Sequence, residues 1–202
     1  MDELKGRIGE RAIHLCIDMQ RLFQPGGPWA APWTEMIETK IAKIVEQSPA
    51  HTIFTRFIPA RSPNEARGAW RWLYEKWKDV TLENLDPNLV RLIDKFERYV
   101  PPGLCFDRLT YSAFADGRLY QILSERRVNT LIISGAETDV CVLATVLSAV
   151  DLGYRTIVVR DAIASSSDET HGALVKLYAT RFSSQIELSY TAAVLKAWAA
   201  DP

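Results

Sequence analysis

Six short segments of this chain are apolar almost without interruption, and that pattern leaves few folds open. They are AIHLCID (12–18), HTIFTRF (51–57), GLCFD (103–107), TLIISG (130–135), RTIVVRD (155–161) and QIEL (185–188). A strand with one wet face alternates apolar and polar residues, whereas a strand that is apolar throughout is covered on both faces. Helical stripes fall between the strands. TEMIETKIAKIVEQS (34–48) carries apolar residues at 36, 37, 41, 44 and 45, with Thr34 as its expected N-cap. DPNLVRLIDKFER (86–98) reads as a helix opened by Asp86 with Pro87 at its first position. DGRLYQILSERR, DVCVLATVLSAVDLG (stopped by Gly153), a helix after SSSDETH with a capping-box pattern at Ser166 and Glu169, and TAAVLKAWAA complete the set. Strands alternating with helices in this way predict an α/β fold, a parallel six-stranded sheet with helices on both faces in three Rossmann-like layers.

The length of 202 residues suits one domain. Residues 58–85 break the alternation and read as an irregular, tryptophan-rich excursion from the sheet. Trp70, Trp72 and Trp77 within it either cap the core, form a subunit contact or line a pocket. A net charge of −1 gives no basic patch for nucleic acid or an anionic membrane. The N-terminal MDELKGRIGER has no apolar signal core, and no run approaches the ~18 apolar residues of a membrane span. Three cysteines without a CxxC pair fit neither a disulfide framework nor a structural zinc site. These features lead to the expectation of a soluble cytoplasmic protein.

Open parallel sheets bind ligands beyond the carboxyl ends of their strands. The polar residues at those ends are Asp18, Arg56, Arg108, the Glu137–Asp139 loop with Cys141, and Asp161. With Thr138 as N-cap, Cys141 falls in the first turn of a helix, where free N–H groups favour a thiolate and an oxyanion. Cys141 is also a natural core residue, since free cysteine is often buried. Asp18 is placed either to take the thiol proton or to cap a turn. Arg108 stabilises negative charge or pairs with a surface carboxylate. Cys16 and Cys105 lie inside strand runs, and His14, His51 and His171 are too scattered for a Cys–His dyad.

The segments IDMQRLF (17–23), FTRF (54–57), RLTYSAF (108–114) and GAETDVCVLATVLSAVDLGYRTIVVRDA (135–162), in this order, resemble the isochorismatase-like cysteine hydrolases. That family includes nicotinamidases, N-carbamoylsarcosine amidohydrolase and ureidoacrylate amidohydrolase. The resemblance implies a catalytic Asp–Lys–Cys set, with Asp18 and Cys141 in the first and last places. It also implies a cis peptide between Ala136 and Glu137 and an oxyanion hole made by the backbone N–H groups of Glu137 and Cys141. Homodimers or homotetramers are expected on the same ground. Two departures stand out. The lysine position is Arg108, which keeps the charge but cannot give up its proton. FTRFIPARSPNEARGAW also lacks the histidines of the nicotinamidase metal site.

The expected function is therefore a metal-independent, cofactor-free hydrolase that cleaves a C–N bond of a small amide or of a ureido or carbamoyl compound. It would act through an acyl-enzyme on Cys141. Phe23, Phe57, Trp70 and Tyr111 are the expected pocket residues. Two alternatives stand beside it: a vinyl-ether hydrolase of the isochorismatase type, and a decayed relative acting as a binding protein.

Overall fold

The computed structural model describes residues 4–198. Six strands form one all-parallel sheet: β1 (Ala12–Ile17), β2 (Thr52–Phe57), β3 (Leu104–Arg108), β4 (Thr130–Ala136), β5 (Arg155–Ala164) and β6 (Ile186–Ser189). Their order is β3-β2-β1-β4-β5-β6. The chain therefore winds outward from β1 to one edge, returns to the middle, and winds outward again from β4. This reversal opens a crevice beyond the carboxyl ends of β1 and β4.

Both faces are covered, as the uninterrupted apolar strands require. Ile13, Leu15 and Ile17 of β1 and Leu131 and Ile133 of β4 pack on one face. They meet α4 (Arg118–Glu125), α5 (Leu143–Asp151) and α6 (Asp168–Thr180) through residues such as Leu119, Val146 and Tyr178. The alternate residues Cys16 and Ile132 face α1 (Thr34–Gln47), the short α3 (Asp94–Glu97) and α7 (Thr191–Ala197), through Ile41, Phe96 and Val194. Gly153, at φ 81°, stops α5 as its position predicts. No helix among the described residues is long and apolar enough to cross a membrane.

Several local expectations need correction. Thr34 is the first residue of α1, not its cap, and its hydroxyl donates to the carbonyls of Ala31 and Phe23 at 2.6 and 3.2 Å. The cap of α6 is Ser167, whose Oγ accepts from the N–H of Thr170 at 3.3 Å, one residue after the expected Ser166. The helix expected over 86–98 is broken into a 3₁₀ turn at Pro87–Val90 and the single turn α3. Asp86 does cap that first turn, accepting from the N–H of Asn88 at 2.9 Å. The chain then extends, because its backbone is drawn to the segment after β1. Arg21 N–H donates to Arg91 O at 3.1 Å, and Ile93 N–H donates to Met19 O at 3.0 Å. The end of the expected C-terminal helix at 199–200 lies outside the described residues.

The excursion carries the two-turn helix α2 (Trp70–Lys76) between 3₁₀ turns at Pro63–Glu65 and Lys78–Val80. It folds back over the carboxyl end of β2, and its three tryptophans take separate places. Trp77 borders the crevice, Trp70 stacks on Phe57 with ring centroids 6.0 Å apart, and Trp72 is exposed.

Candidate active site

Asp18 is the residue that leaves β1. It is fully buried and has φ 49°, a left-handed conformation that Asp tolerates better than most residues. Thr55 on the neighbouring strand fixes it from two sides. The Thr55 hydroxyl donates to Asp18 Oδ1 at 2.7 Å and accepts the Asp18 N–H at 3.2 Å. Arg108, the last residue of β3, reaches across β2 and donates from Nη2 to Asp18 Oδ2. Its Nη1 donates to Thr110 O, and its guanidinium carbon lies 5.5 Å from the Phe57 ring centroid. Arg108 is 2% exposed, and its Nε finds no protein partner. Gln20 holds the end of β2 by accepting from Phe57 N–H at 2.7 Å and donating to Phe57 O at 3.0 Å.

Cys141 approaches this ion pair from β4. Gly135 (φ 112°) makes the approach possible, since a Cβ there would lie 2.0 Å from Ile17 O. The Ala136–Glu137 peptide is cis. A single π-helical turn, Thr138–Val142, then leads into α5. Thr138 caps nothing with its side chain, so the expected N-cap is absent and Cys141 is the fourth residue of the π turn. Its thiol feels both the Asp18 charge and the Arg108 guanidinium.

Burial decides the charge state of the three groups. Desolvation raises the Asp18 carboxyl above the ordinary carboxylate range, although Arg108, Thr55 and Cys141 each pull it down. Desolvation also pushes the Cys141 thiol well up, with the Asp18 charge adding to it and Arg108 opposing. Burial lowers the Arg108 guanidinium, but Asp18 and Cys141 more than offset this, and it keeps its proton. The expectation of a ready-made thiolate at a helix start is thus corrected. Burial favours the protonated thiol, which faces an Asp18 carboxyl whose own pKa is raised.

The polar run Glu137-Thr138-Asp139 has a structural task. Glu137 Oε1 accepts from Ser166 N–H at 3.0 Å, and Thr138 Oγ1 bonds to His171 Nδ1 at 2.9 Å. Asp139 accepts from Ser165 Oγ at 2.6 Å and from Thr170 Oγ1. The loop after β4 is therefore fastened to the loop after β5 and the start of α6. His171 belongs to this fastening, not to a dyad with Cys141.

A cavity of about 360 Å³ rises above Cys141. Phe23, Phe57 and Tyr111 line it as expected, and Trp29, Leu73 and Trp77 join them. Trp70 does not line it. Its ring is taken up behind the wall between Phe57, Tyr74 and Tyr111, at 6.0, 6.4 and 4.6 Å between centroids. Trp29 and Thr55 were not legible as site residues. Trp29 sits in a Gly- and Pro-rich loop after β1, where a large aromatic near a strand end is the available signal. Arg56 and Asp161, expected at strand ends, lie within β2 and β5, and Arg56 pairs with Asp107 at 2.7 Å. Asp161 accepts from Thr191 N–H at 2.7 Å and faces Lys40 at 3.5 Å, beside a separate cavity. Neither joins Cys141. Among the described residues no three His, Cys, Asp or Glu side chains converge as metal ligands would. The residues after β2 (Ile58, Pro59, Ala60) likewise supply no donor set for the nicotinamidase metal.

Several known proteins are similar to this chain. N-carbamoylsarcosine amidase of Arthrobacter sp is 30% identical over 171 residues, covering 79% of this chain and 62% of that protein. Nicotinamidase 3 of Arabidopsis thaliana is 29% identical over 163 residues, 80% of this chain and 77% of that protein. The chain spans 56% and 62% of the length of the first two curated relatives it matches. The crystal structure of a cysteine hydrolase from Pseudomonas syringae pv. phaseolicola 1448A superposes with a TM-score of 0.81. It is 25% identical, with 98% of each chain covered. The family profile described as Isochorismatase domain matches residues 12–189, from the first strand to the last. With that span and this fold, the chain belongs to the isochorismatase family.

Proposed function

We propose that this protein is a metal-independent cysteine hydrolase that cleaves a C–N bond in a small amide or in a ureido or carbamoyl compound. One observation carries the reading: the buried Asp18–Arg108 pair lies beside Cys141 at the β1/β4 reversal, and Cys141 lines a cavity open to a small molecule.

In the proposed reaction Asp18 accepts the thiol proton as Cys141 Sγ bonds to the carbonyl carbon. The proton moves as the bond forms, because a buried thiolate without substrate is unfavourable here. The backbone N–H groups of Glu137 and Cys141 hold the oxyanion. The intermediate collapses with cleavage of the C–N bond, and Asp18 returns its proton to the leaving nitrogen. A thioester remains. Water then gives its proton to Asp18 and its oxygen to the acyl carbon, and the departing thiolate is reprotonated by Asp18. Arg108 keeps Asp18 ionised between these transfers and offsets negative charge near Sγ. The relatives named nicotinamidase and N-carbamoylsarcosine amidase support amide C–N cleavage over vinyl-ether cleavage, and so does a thiol on the cavity floor.

Ammonia release across a panel of carboxamides and carbamoyl compounds tests the reading. Turnover that survives exhaustive chelation and is lost in Cys141→Ala is expected. Activity in Cys141→Ala equal to that of the native protein removes the nucleophile. Loss on chelation, restored by zinc or manganese, removes the metal-free mechanism. No turnover in either protein across the panel favours the decayed, binding-only relative, for which Arg108 in the lysine position is the one supporting feature.

A further inference from the structure

The walls of the cavity above Cys141 restrict both the charge and the size of what enters. We infer that it takes a neutral, hydrocarbon-rich aryl carboxamide bearing an apolar ring substituent and excludes amides that carry a carboxylate; this rests on the C–N hydrolase reading above. The walls are largely a continuous aromatic surface centred on Trp29. The Trp29 ring lies 6.3 Å from Phe23, 5.9 Å from Phe57 and 6.2 Å edge-on from Trp77. Leu73 and Tyr111 extend it. Such a lining favours the face of a flat apolar group.

Charge is equally one-sided. Glu137 is the one Asp, Glu, Lys, Arg or His among the described residues on the wall, and it is acidic. No Lys, Arg or His lines the cavity among the described residues. The nearest buried cation, Arg108, is already engaged by Asp18 and Thr110. Lys76 lies 5.9 Å from the Trp77 ring centroid, off the wall. A carboxylate in this space leaves water, finds no cationic partner and meets the Glu137 charge, which is a heavy uncompensated penalty.

Size narrows the class further. A volume of about 360 Å³ lies at the small end of the roughly 300–1,000 Å³ typical of small-molecule sites. An unsubstituted six-membered aryl amide leaves much of that space unfilled, and poorly filled apolar space forfeits contact energy. A compact alkyl group on the ring fills more of it.

The test compares 4-isopropylbenzamide with the near-isosteric 4-carbamoylbenzoate and with unsubstituted benzamide, by ammonia release. The isopropyl compound should exceed the carboxylate by at least about a hundredfold in kcat/KM, since a buried unpaired charge is so costly. It should also exceed benzamide. Leu73→Arg, or Trp77→Arg should the first variant fold poorly, places a cation on the wall and should shift the ratio towards the carboxylate by about tenfold or more. Binding to Cys141→Ala, read from quenching of the wall tryptophans, separates this inference from the hydrolase reading. Preferential binding of the isopropyl compound without native turnover leaves the inference standing and overturns the hydrolase reading. Equal or better use of 4-carbamoylbenzoate by the native protein overturns the inference, and the hydrolase reading stands.

Discussion

Arg108 occupies a position where the family resemblance implies lysine, and two substitutions separate its possible tasks. If its charge alone matters, Arg108→Lys changes turnover by no more than about tenfold, or 1.4 kcal/mol in the barrier. Arg108→Met should lower turnover far more, because Asp18 loses the cation that opposes its desolvation. A large gain in Arg108→Lys would instead show that the position must move a proton or fit a smaller group. The pH profile provides a second readout. Asp18 must be ionised to accept the thiol proton, and burial raises its pKa. The acid limb of kcat/KM should therefore lie above the ~3.9 of an ordinary aspartate. In Arg108→Met that limb should move further up. A limb unmoved by the substitution would detach Arg108 from Asp18. That Asp18, Arg108 and Cys141 gather at one edge of the sheet was readable from sequence, because strand ends collect polar residues in parallel sheets. The protonation state of Cys141 was not. A helix-start dipole is visible in a sequence, whereas the burial that outweighs it is a property of the folded molecule.

At the scale of elements, the turn that carries Cys141 is held from outside by Asp139. Hydrogen bonds to a charged acceptor contribute about 1.5–3 kcal/mol each. Asp139→Ala removes two of them and loosens the loop after β4, leaving the Thr138–His171 and Glu137–Ser166 bonds to hold it. We expect kcat/KM to fall by about ten- to a hundredfold with a lowered melting temperature, since a small displacement of a reacting group is costly. Asp139→Asn should recover much of both, because its carbonyl oxygen still accepts. An unchanged rate in Asp139→Ala, read by ammonia release, would show that the π turn holds its place without Asp139. The strands and most helices were legible because their apolar period matches their layer. The segment 86–98 shows where periodicity misleads. Its helical signals at Asp86 and Pro87 are genuine but serve one 3₁₀ turn, and the backbone bonds to Met19 and Arg21 take over after that. Those partners are some 70 residues away, beyond any local pattern.

For the whole molecule, the contact between β1 and β4 is the central seam, and a buried histidine lies on it. His14 bonds through Nε2 to Ser134 Oγ at 2.7 Å, and burial lowers its pKa to about 3. The folded protein therefore binds fewer protons at this site than the unfolded chain below pH ~6.5. This contribution is complete above pH ~6.5 and declines by about 1.4 kcal/mol per pH unit as the pH falls towards 3. Asp18, with its raised pKa, acts in the opposite sense. The useful comparison is thus native protein against His14→Gln, in which Asp18 is unchanged. Urea unfolding between pH 6.5 and 5 should show a shallower decline in the variant. Equal slopes would mean that His14 is not held neutral.

The same seam divides the site by ancestry in the chain. Asp18 and Arg108 belong to the first winding of the sheet, Cys141 to the second, and six residue pairs from Ala12↔Thr130 to Ile17↔Gly135 join them. A chain cut in the exposed turn near Gly117 should therefore yield two inert pieces, one with the acid and its cation, the other with the thiol. Mixing them should restore ammonia release only as the pieces associate, with a rate that depends on the concentration of both. Turnover by either piece alone would contradict this. The enzyme would then serve as its own reporter of strand docking, silent until the middle of the sheet has closed.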